Sequence, residues 1–315
     1  MSQDYAPPDQ FEAAVNQVNK NTVTGLYPLW MDNWAHNLQL ARAGDSLDKL
    51  YQRPSSGRVL IVGRGPSIKK YGHLDMLRKH PFPGHIIASD GAVPLLAERG
   101  IVPYLSMTVD GSEIIAKWFT GPTAKIGSKL KAVLPLTAHP KTVNAARKIG
   151  AHIYWYIPEL DQEPLKGVTE ALQLQTYSPS NPTGISRSNG AGNCGLAAVV
   201  LANSILRAKE VVMIGMDSGY PPDTPLEECH YHEGMLRSCG YDAQQVARLY
   251  RMYHHPELKY TVVDPVFEIY RRTFLTIAKA YRSAGVKIVN CTEGGCLFDE
   301  SVAIMKFRNY LKISS

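Results

Sequence analysis

The sequence predicts an α/β fold: a doubly wound, mostly parallel sheet with an N-terminal helical prefix and an inserted lid. Three observations lead to this prediction. Short runs of consecutive apolar residues, typical of strands buried on both faces, recur along the chain. Stretches with apolar residues at helical spacing separate them, and such alternation produces right-handed crossovers between parallel strands. Glycines or acids follow several of the strand-like runs, at the edge where parallel sheets bind ligands.

Length and composition are those of an ordinary globular protein. The 315 residues suffice for one large α/β domain with additions or for two modest domains, and 44% are hydrophobic. The net charge of +6 is not gathered into a basic stripe, so a small polyanion is expected as a partner and a nucleic acid is not. Five cysteines do not indicate a disulfide framework. No apolar run is long enough for a membrane span and no signal-peptide core is present, so a cytoplasmic location is expected.

The chain divides into four predicted parts: residues 1–55, 56–218, 219–265 and 266–315. The first is a helical prefix, with apolar residues at helical spacing from Phe11 to Val18 and from Leu26 to Ala43. Trp30 and Trp34 share one helical face; packing on the core is its expected role, and stacking on a ligand is the alternative. The second part is the core, the third is a polar and aromatic lid beyond a strand end, and the fourth completes the core.

Strands and helices alternate in the predicted core. The strands are expected at residues 58–62, 85–90, 103–110, 132–136, 152–156, 211–214 and 286–289. The helices are expected at residues 68–79, 92–99, 141–149, 196–207 and 267–284. Residues 173–193 are rich in serine, asparagine, proline and glycine, which predicts a long loop.

The first strand and the turn after it are the strongest functional signal. Gly63 and Gly65 allow a sharp turn and bring N–H groups close to an anion. Ser67 is expected to cap the following helix, whose N-terminus favours a phosphate. No Gly-Lys-Ser/Thr follows, so this is not a Walker loop, and Ile68 replaces the third glycine of the dinucleotide fingerprint. The turn predicts a nucleotide site, and a tight turn without a ligand is the alternative.

Acidic and amide residues follow the other strand ends. Because the carboxyl ends of parallel strands share one edge, these residues are expected to surround one ligand, although each acid alone also fits a helix cap. The expected set comprises Asp90, Asp110, Asn193, Gly195, Asp217 and Glu293.

The glycine-rich segment from Ser188 to Gly195 opens an apolar helix. Asn193 and the adjacent amides suit a phosphate or a base edge. Cys194 stands at the helix start, where the thiol pKa is expected to be lowered, so a nucleophile is an alternative even though no partner base is evident.

Two lid histidines, His230 and His232, are candidates for proton transfer or phosphate contact. The Cys229-His-Tyr-His spacing matches no standard structural zinc site, and zinc binding stays an alternative. A surface histidine without a catalytic role is the other alternative.

The order of these motifs resembles the MptE-like family, which includes archaeal 6-hydroxymethyl-7,8-dihydropterin pyrophosphokinases. The resemblance covers roughly residues 58–298, and it extends to the motility accessory factors and, more remotely, to the CMP-sialic acid transferases. It implies a Rossmann-like nucleotide-binding core. Arg64 stands where asparagine is usual, and Cys194 where serine is usual. The motifs are Gly-x-Gly-Pro-Ser (63–67), Asp-Gly-Ala (90–92), Asp110, Gly-Asn-x-Gly (192–195), Ile-Gly-Met-Asp (214–217) and Asn-x-Thr-Glu-Gly-Gly (290–295).

The resemblance implies a diphosphotransferase, in which the hydroxyl of a hydroxymethylpterin attacks the β-phosphorus of ATP and AMP leaves. Asp110 and Asp217 are the expected ligands of Mg²⁺. Arg64 and the amides of the glycine turn (Gly63, Gly65 and Ser67) would hold phosphates. Asn193 and Glu293 would line the nucleotide or pterin pocket. His230 or His232 would accept the hydroxyl proton.

Two other functions stay open. One is glycosyl transfer from a CMP-activated nonulosonic acid, in which a lid histidine acts as base or phosphate contact without requiring a metal. The other is a non-catalytic nucleotide-binding or assembly protein. The sequence leaves the nucleobase, the acceptor and homo-oligomerisation undecided.

Overall fold

The computed structural model describes residues 5–51, 57–161, 165–240, 242–256 and 261–314. The strands of the main sheet are β1 (Asp45–Ser46), β2 (Arg58–Val62), β3 (His85–Ser89), β4 (Leu105–Met107), β5 (Lys131–Pro135), β6 (His152–Pro158), β7 (Arg187–Ser188), β8 (Glu210–Ile214), β11 (Lys287–Asn290) and β12 (Ala303–Ile304). Outside this sheet, β9 (Arg251–Tyr253) and β10 (Thr261–Val263) pair antiparallel. The helices are α1 (Pro8–Ala43), α2 (Ser67–Lys70), α3 (His73–Lys79), α4 (Val93–Ala97), α5 (Pro140–Lys148), α6 (Val168–Gln175), α7 (Cys194–Ser204), α8 (His232–Cys239), α9 (Ala243–Ala247), α10 (Pro265–Ser283) and α11 (Phe307–Ser314).

Neighbouring strands of the main sheet run parallel in the order β1-β6-β5-β4-β3-β2-β8-β11-β12, with β7 beside β6. From β2 the chain adds β3 to β6 on one side and then places β8 on the other side of β2. The strand order therefore reverses between β2 and β8, the position where open parallel sheets bind ligands. This topology confirms the predicted doubly wound, parallel α/β fold.

Both faces of the sheet are buried, which explains the uninterrupted apolar sequences of its strands. Along β2, Leu60 and Val62 belong to the hydrophobic core on one face. Val59 and Ile61 belong to the core on the opposite face, which α7 covers. All four side chains are fully buried. The loops at the carboxyl edge are therefore anchored to a sheet that is buried on both faces.

The prefix is a single helix of 36 residues, α1, and not two separate helical stretches. Trp34 is buried in the core and Trp30 packs against the same cluster, so the predicted packing role of this face is confirmed. The helix also contacts α8 and α10. Although α1 is long, neither it nor any other helix of the described residues is apolar enough to span a bilayer.

Two predicted segments differ from the structure. The helix expected over residues 68–79 is divided into α2 and α3, because Gly72 adopts a left-handed conformation (φ +64°) between them. The loop expected over residues 173–193 contains the end of α6 and the short strand β7. Both differences arise at short elements, which tertiary contacts decide more than local propensity does.

Residues 219–263 connect β8 to α10 and have a small hydrophobic cluster of their own. They contain α8, α9 and the β9–β10 pair. This segment lies between a strand end and the helix that leads to β11. The cluster consists of Cys229, Met235, Val246, Tyr250 and Val262.

Candidate functional site

The turn after β2 packs directly against the turn after β8. The amide of Gly63 donates to the Ile214 carbonyl at 2.9 Å, and the amide of Gly65 donates to the Gly215 carbonyl at 2.8 Å. A Cβ on Gly65 would overlap Asp217 Oδ2, and a Cβ on Gly63 would overlap the Gly215 carbonyl. Glycine is therefore needed here for the close approach of two turns. The structure corrects the prediction that the Gly63 and Gly65 amides bind phosphate, because both N–H groups already donate hydrogen bonds to carbonyls of the protein.

Ser67 joins the same arrangement through Asp217. Its hydroxyl donates to Asp217 Oδ2 at 2.7 Å and its amide to Oδ1 at 3.3 Å. The side chain therefore does not cap a helix, and the prediction that it does is wrong. Helix α2 has only four residues, so it offers little of the dipole that the phosphate prediction assumed.

Asp217, in the turn after β8, is held at the reversal of strand order by two other turns. Besides its bonds from Ser67, its carbonyl accepts the amide of Cys296 at 3.1 Å, from the turn after β11. Burial raises the pKa of Asp217 to about 6, even though the Ser67 bonds and the charge of Lys70 act in the opposite direction. A carboxyl group that titrates near neutrality in this position is a functional candidate.

A second group of residues lies at the ends of β3 and β4. Asp90 is buried, and its Oδ1 accepts the amide of Gly91 at 2.6 Å. Its Oδ2 accepts a hydrogen bond from the Cys194 thiol at 3.4 Å. Burial first, and the nearby charge of Asp110 in addition, raise the pKa of Asp90 to about 6. The side chain of Asp110 is exposed and accepts the Ser112 amide at 2.7 Å.

The thiol of Cys194 is not activated. Burial and the charge of Asp90 raise its pKa well above the ordinary value, whereas the sequence predicted a lowered pKa. Desolvation outweighs any benefit from the helix N-terminus. A nucleophilic role for this cysteine therefore has no support.

The start of α7 positions two further predicted residues. Asn193 is the helix cap, since its Oδ1 accepts the amide of Leu196 at 3.0 Å. Gly195 lies against Met216, and a Cβ there would come within 2.5 Å of the thioether. These residues pack the helix N-terminus onto the β8 turn.

The side chain of Glu293 points into the protein interior. Its Oε1 lies 3.2 Å from His73 Nε2 and accepts the amide of Phe307 at 3.2 Å. Only 8% of its surface is exposed. The prediction that Glu293 lines the pocket is corrected, because its carboxylate joins α3 to α11.

The two lid histidines have different surroundings. His232 is buried, and its Nδ1 lies 3.4 Å from the Tyr250 hydroxyl in the lid cluster. His230 is exposed, its ring packs on Tyr231, and its charge acts on Asp264 at the start of α10. Only His230 is therefore accessible to a ligand. The described residues contain no cluster of three or more histidine, cysteine or acidic side chains able to hold a metal.

Tyrosines from the lid and α10 stand beside the acidic pair. The hydroxyls of Tyr231 and Tyr270 are 3.4 Å apart. The ring of Tyr270 lies against Gly192, where a Cβ would be 2.9 Å away. Burial raises the pKa of both tyrosines, and the charge of Asp110 contributes. We call Tyr231 and Tyr270 the tyrosine wall.

Arg64 lies between the acidic residues at the ends of β3 and β4 and the glycine turn with Asp217. It leaves the glycine turn and crosses Gly91, and its guanidinium carbon lies 3.9 Å from the centre of the Trp118 ring. Its side chain is exposed. The structure thus gathers Asp90, Asp110 and the tyrosine wall in one group and the glycine turn with Asp217 in another, with Arg64 between them.

The residues 30–223, more than half of the chain, match the model of the family "6-hydroxymethylpterin diphosphokinase MptE-like". The chain belongs to the MptE-like family. This confirms the resemblance found in the motifs.

The chain is similar to two known proteins, one by sequence and one by structure. The MptE-like chain is 26% identical over 174 residues to a 6-hydroxymethyl-7,8-dihydropterin pyrophosphokinase of Methanocaldococcus jannaschii, over 55% of this chain and 64% of that protein. The structure of the MAf glycosyltransferase from Magnetospirillum magneticum AMB-1 matches with a TM-score of 0.58 at 17% identity, over 82% of this chain and 34% of the other. The matches thus span less than two thirds of either relative. The structural likeness shows a shared fold.

Asp90 and Asp110 are candidate ligands of a magnesium ion in the MptE-like site, because they follow the neighbouring parallel strands β3 and β4. The two carboxyl groups are close enough for the charge of Asp110 to raise the Asp90 pKa, and a cation between them would relieve that repulsion. Mg²⁺ commonly takes one or two carboxylates and completes its shell with phosphate oxygens and water. Both oxygens of Asp217 accept hydrogen bonds from Ser67, and both oxygens of Asp90 accept hydrogen bonds from Gly91 and Cys194, so hydrogen bonding does not separate Asp217 from Asp90 as a ligand.

Several residues of this MptE-like site escape a sequence-based search. Trp118, Tyr231 and Tyr270 belong to no motif, and they reach the site through packing of separate segments. The sequence gives one indication of an aromatic residue in the site, which is the unusual Arg64 in the glycine turn. Arginine side chains stack on aromatic rings, so an aromatic neighbour is expected. The sequence does not say which aromatic residue that is.

Proposed function

We propose that this MptE-like protein is a nucleotide-dependent transferase that moves a diphosphate group from ATP to a hydroxymethylpterin-like alcohol. The observation that carries the proposal is the position of buried Asp90 and exposed Asp110 after the neighbouring parallel strands β3 and β4, where the side chain of Arg64 crosses Gly91. Phosphoryl transfer requires alignment and neutralisation of phosphate charge more than covalent catalysis. This group of residues offers both.

In the proposed reaction, the alcohol oxygen forms a bond to the β-phosphorus while the bond from that phosphorus to the α–β bridging oxygen breaks. AMP leaves with the bridging oxygen, and the alcohol loses its proton. His230 is the lid histidine accessible for accepting this proton, since His232 is buried. When bound, Mg²⁺ would be held by Asp90 and Asp110 and would supply charge neutralisation on the phosphates.

The tyrosine wall suits the planar acceptor. Aromatic side chains bind ring systems by stacking, and Tyr231 and Tyr270 lie close to Asp110. Asp217 has a supporting role in this proposal: it fixes the turn from which Arg64 extends. The activity of the archaeal relative, as its name states it, agrees with this reaction.

The test measures AMP release from ATP, Mg²⁺ and 6-hydroxymethyl-7,8-dihydropterin by the full chain. Asp110→Asn is expected to reduce the rate about 100-fold, the effect of removing one electrostatic contact from a transition state. The matched control is Asp75→Asn, which removes an exposed acid of α3 that pairs with Arg99. An unchanged rate in Asp110→Asn, or failure of the unaltered protein to bind ATP with Mg²⁺, contradicts the proposal.

A second candidate is glycosyl transfer from a CMP-activated nonulosonic acid. The exposed His230 beside the tyrosine wall favours it, because such a histidine can serve as a base without a metal. A fold shared with a protein described as a glycosyltransferase agrees with this candidate. Selective binding of CMP that is unaffected by EDTA would favour this reaction over diphosphate transfer. Tight oligomerisation without turnover of either donor would instead indicate a non-catalytic protein.

A further inference from the structure

Two positive charges converge on one indole ring at the carboxyl edge of the sheet. The guanidinium carbon of Arg64 lies 3.9 Å from the centre of the Trp118 ring, and Lys117 Nζ lies 4.5 Å from it. Within the described residues, neither cation forms an ion pair with a carboxylate, although Glu113 nearby in sequence pairs with Lys141. Like charges around one ring repel, so an anion that contacts both cations would relieve this repulsion.

The position of Arg64 is fixed from both ends of its side chain. Its backbone belongs to the turn that Gly65 closes on Gly215. Its stem crosses Gly91, where a Cβ would come within 2.8 Å of Arg64 Cδ. Its guanidinium stacks on Trp118, whose carbonyl accepts the Thr123 hydroxyl at 2.7 Å. An arginine that is already ordered loses less entropy when it binds a ligand.

A stacked guanidinium keeps its N–H edge available. The five donors of arginine lie in the plane of the group, and stacking uses only the faces of that plane. The edge can therefore donate two parallel hydrogen bonds to phosphate oxygens, which a lysine cannot do. Lys117 adds a mobile second charge that can reach a neighbouring phosphate.

We propose that Arg64, Lys117 and Trp118 form a polyphosphate platform that binds the β- and γ-phosphates of a nucleoside triphosphate. The platform rests on the proposed function and deepens it, since it selects a triphosphate over a nucleoside monophosphate or its sugar ester. Trp118 is a positioning residue: it touches the guanidinium, and the guanidinium touches the phosphates.

The experiment is titration calorimetry of the full chain with ATP, ADP and AMP in the presence of Mg²⁺. The unaltered protein is expected to bind ATP more tightly than ADP, and ADP more tightly than AMP. Arg64→Met is expected to weaken ATP binding about tenfold or more, the value of a charge-assisted contact, while AMP binding changes less than about twofold. Gly91→Ala is expected to act in the same direction, because its Cβ displaces the arginine stem.

Three further variants separate position from charge. Trp118→Leu leaves both cations in place, yet it is expected to weaken ATP binding and to raise the KM for ATP more than it lowers kcat. Arg64→Lys keeps the charge and is expected to restore only part of the affinity. The matched control is Arg207→Met, which removes a guanidinium stacked on Tyr51 beyond the opposite end of α7 and is expected to leave all three affinities unchanged.

Tryptophan fluorescence gives a second readout. Binding of a polyphosphate to Arg64 changes the surroundings of Trp118, so ATP or inorganic triphosphate is expected to alter the emission, and Trp118→Phe is expected to abolish the change. Equal losses of ATP and AMP affinity in Arg64→Met would overturn the platform. Graded ATP, ADP and AMP binding without diphosphate transfer would overturn the proposed reaction and leave the platform standing. Binding of no nucleotide by the unaltered protein would overturn both.

Discussion

Asp217 accepts two hydrogen bonds from Ser67, and burial still raises its pKa to about 6. Hydrogen bonds to a carboxylate normally lower its pKa, so desolvation by the surrounding turns is the stronger effect. The folded protein therefore holds an ionised group in a position that disfavours charge. Such a residue lowers stability at neutral pH, and natural proteins retain residues of this kind mostly at functional positions.

The pH dependence of this residue has a definite sign. The folded pKa of about 6 lies above the unfolded value near 3.8, so the folded state binds more protons between these values. The free energy of unfolding contributed by Asp217 is therefore greatest below pH 4, falls as the pH rises to 6 and stays constant above. Asp217→Asn removes a penalty of about 2–3 kcal/mol at pH 8 and has little effect at pH 4.

Thermal melts in EDTA at pH 4 and pH 8 test this prediction. The melting temperature of Asp217→Asn is expected to exceed that of the unaltered protein at pH 8 only. The control, Asp75→Asn, changes an exposed carboxyl and is expected to show no such difference. A lower melting temperature at pH 8 would show that the Ser67 bonds outweigh desolvation.

Helix α1 is the element that joins the prefix to the site. Asn33 Nδ2 donates to the carbonyls of Gly111 and Thr137, each at 2.9 Å. One turn later, Asn37 Nδ2 donates to the carbonyls of Leu136 and Ala138 at 2.8 and 2.7 Å. Both asparagines are buried. Residues four apart share a helix face, so α1 holds the loops after β4 and β5 through one row of amides.

Replacement of Asn33 and replacement of Asn37 are expected to affect stability alike but ligand binding differently. Asn33→Ala and Asn37→Ala each leave two buried carbonyls without a donor, so each is expected to lower the free energy of unfolding by about 2–4 kcal/mol. Only Asn33 holds Gly111, which follows Asp110. Asn33→Ala is therefore expected to weaken binding of ATP with Mg²⁺ as well, whereas Asn37→Ala is not. Urea denaturation and calorimetry measure the two effects.

Gln39→Ala is the control, because this side chain is exposed on the same helix. It is expected to change neither stability nor binding by more than about 0.5 kcal/mol. Equal binding by both asparagine variants would show that the Gly111 carbonyl does not position Asp110.

At the scale of the whole molecule, the sequence predicts the core well. Strands such as β2 and β8 are buried on both faces, so their apolar runs identify them without knowledge of the fold. The strands β1, β7 and β12 have two residues each and exist only because neighbours pair with them. Their formation depends on tertiary contacts that no local pattern contains.

The candidate site is predicted only in part, for a related reason. Asp90 and Asp110 follow the neighbouring parallel strands β3 and β4, and a ligand shared by the two carboxyl groups stays a prediction. The glycine turn is identified correctly as a turn, but its amides pair with β8, and strand adjacency of that kind is not visible in a motif. Glu293 and His232 fail as pocket residues because their burial depends on α11 and on the lid cluster.

The amino-terminal half of α1 is anchored to the lid and to α10. Just before the helix, the amide of Ala6 donates to the Arg248 carbonyl at 2.8 Å, and Arg251 donates to the Ala6 carbonyl at 2.7 Å. Within its first turns, Phe11 clusters with Leu249, and Glu12 pairs with Arg272 at 2.6 Å. The other half reaches the loop that follows Asp110.

A helix of 36 residues extends about 54 Å. One continuous helix thus contacts the lid through its first turns and the Gly111 carbonyl through its second half. Pro28 lies between these two contacts and lacks the N–H of a helical hydrogen bond, so a bend at this position would separate movement of the lid from movement of Asp110.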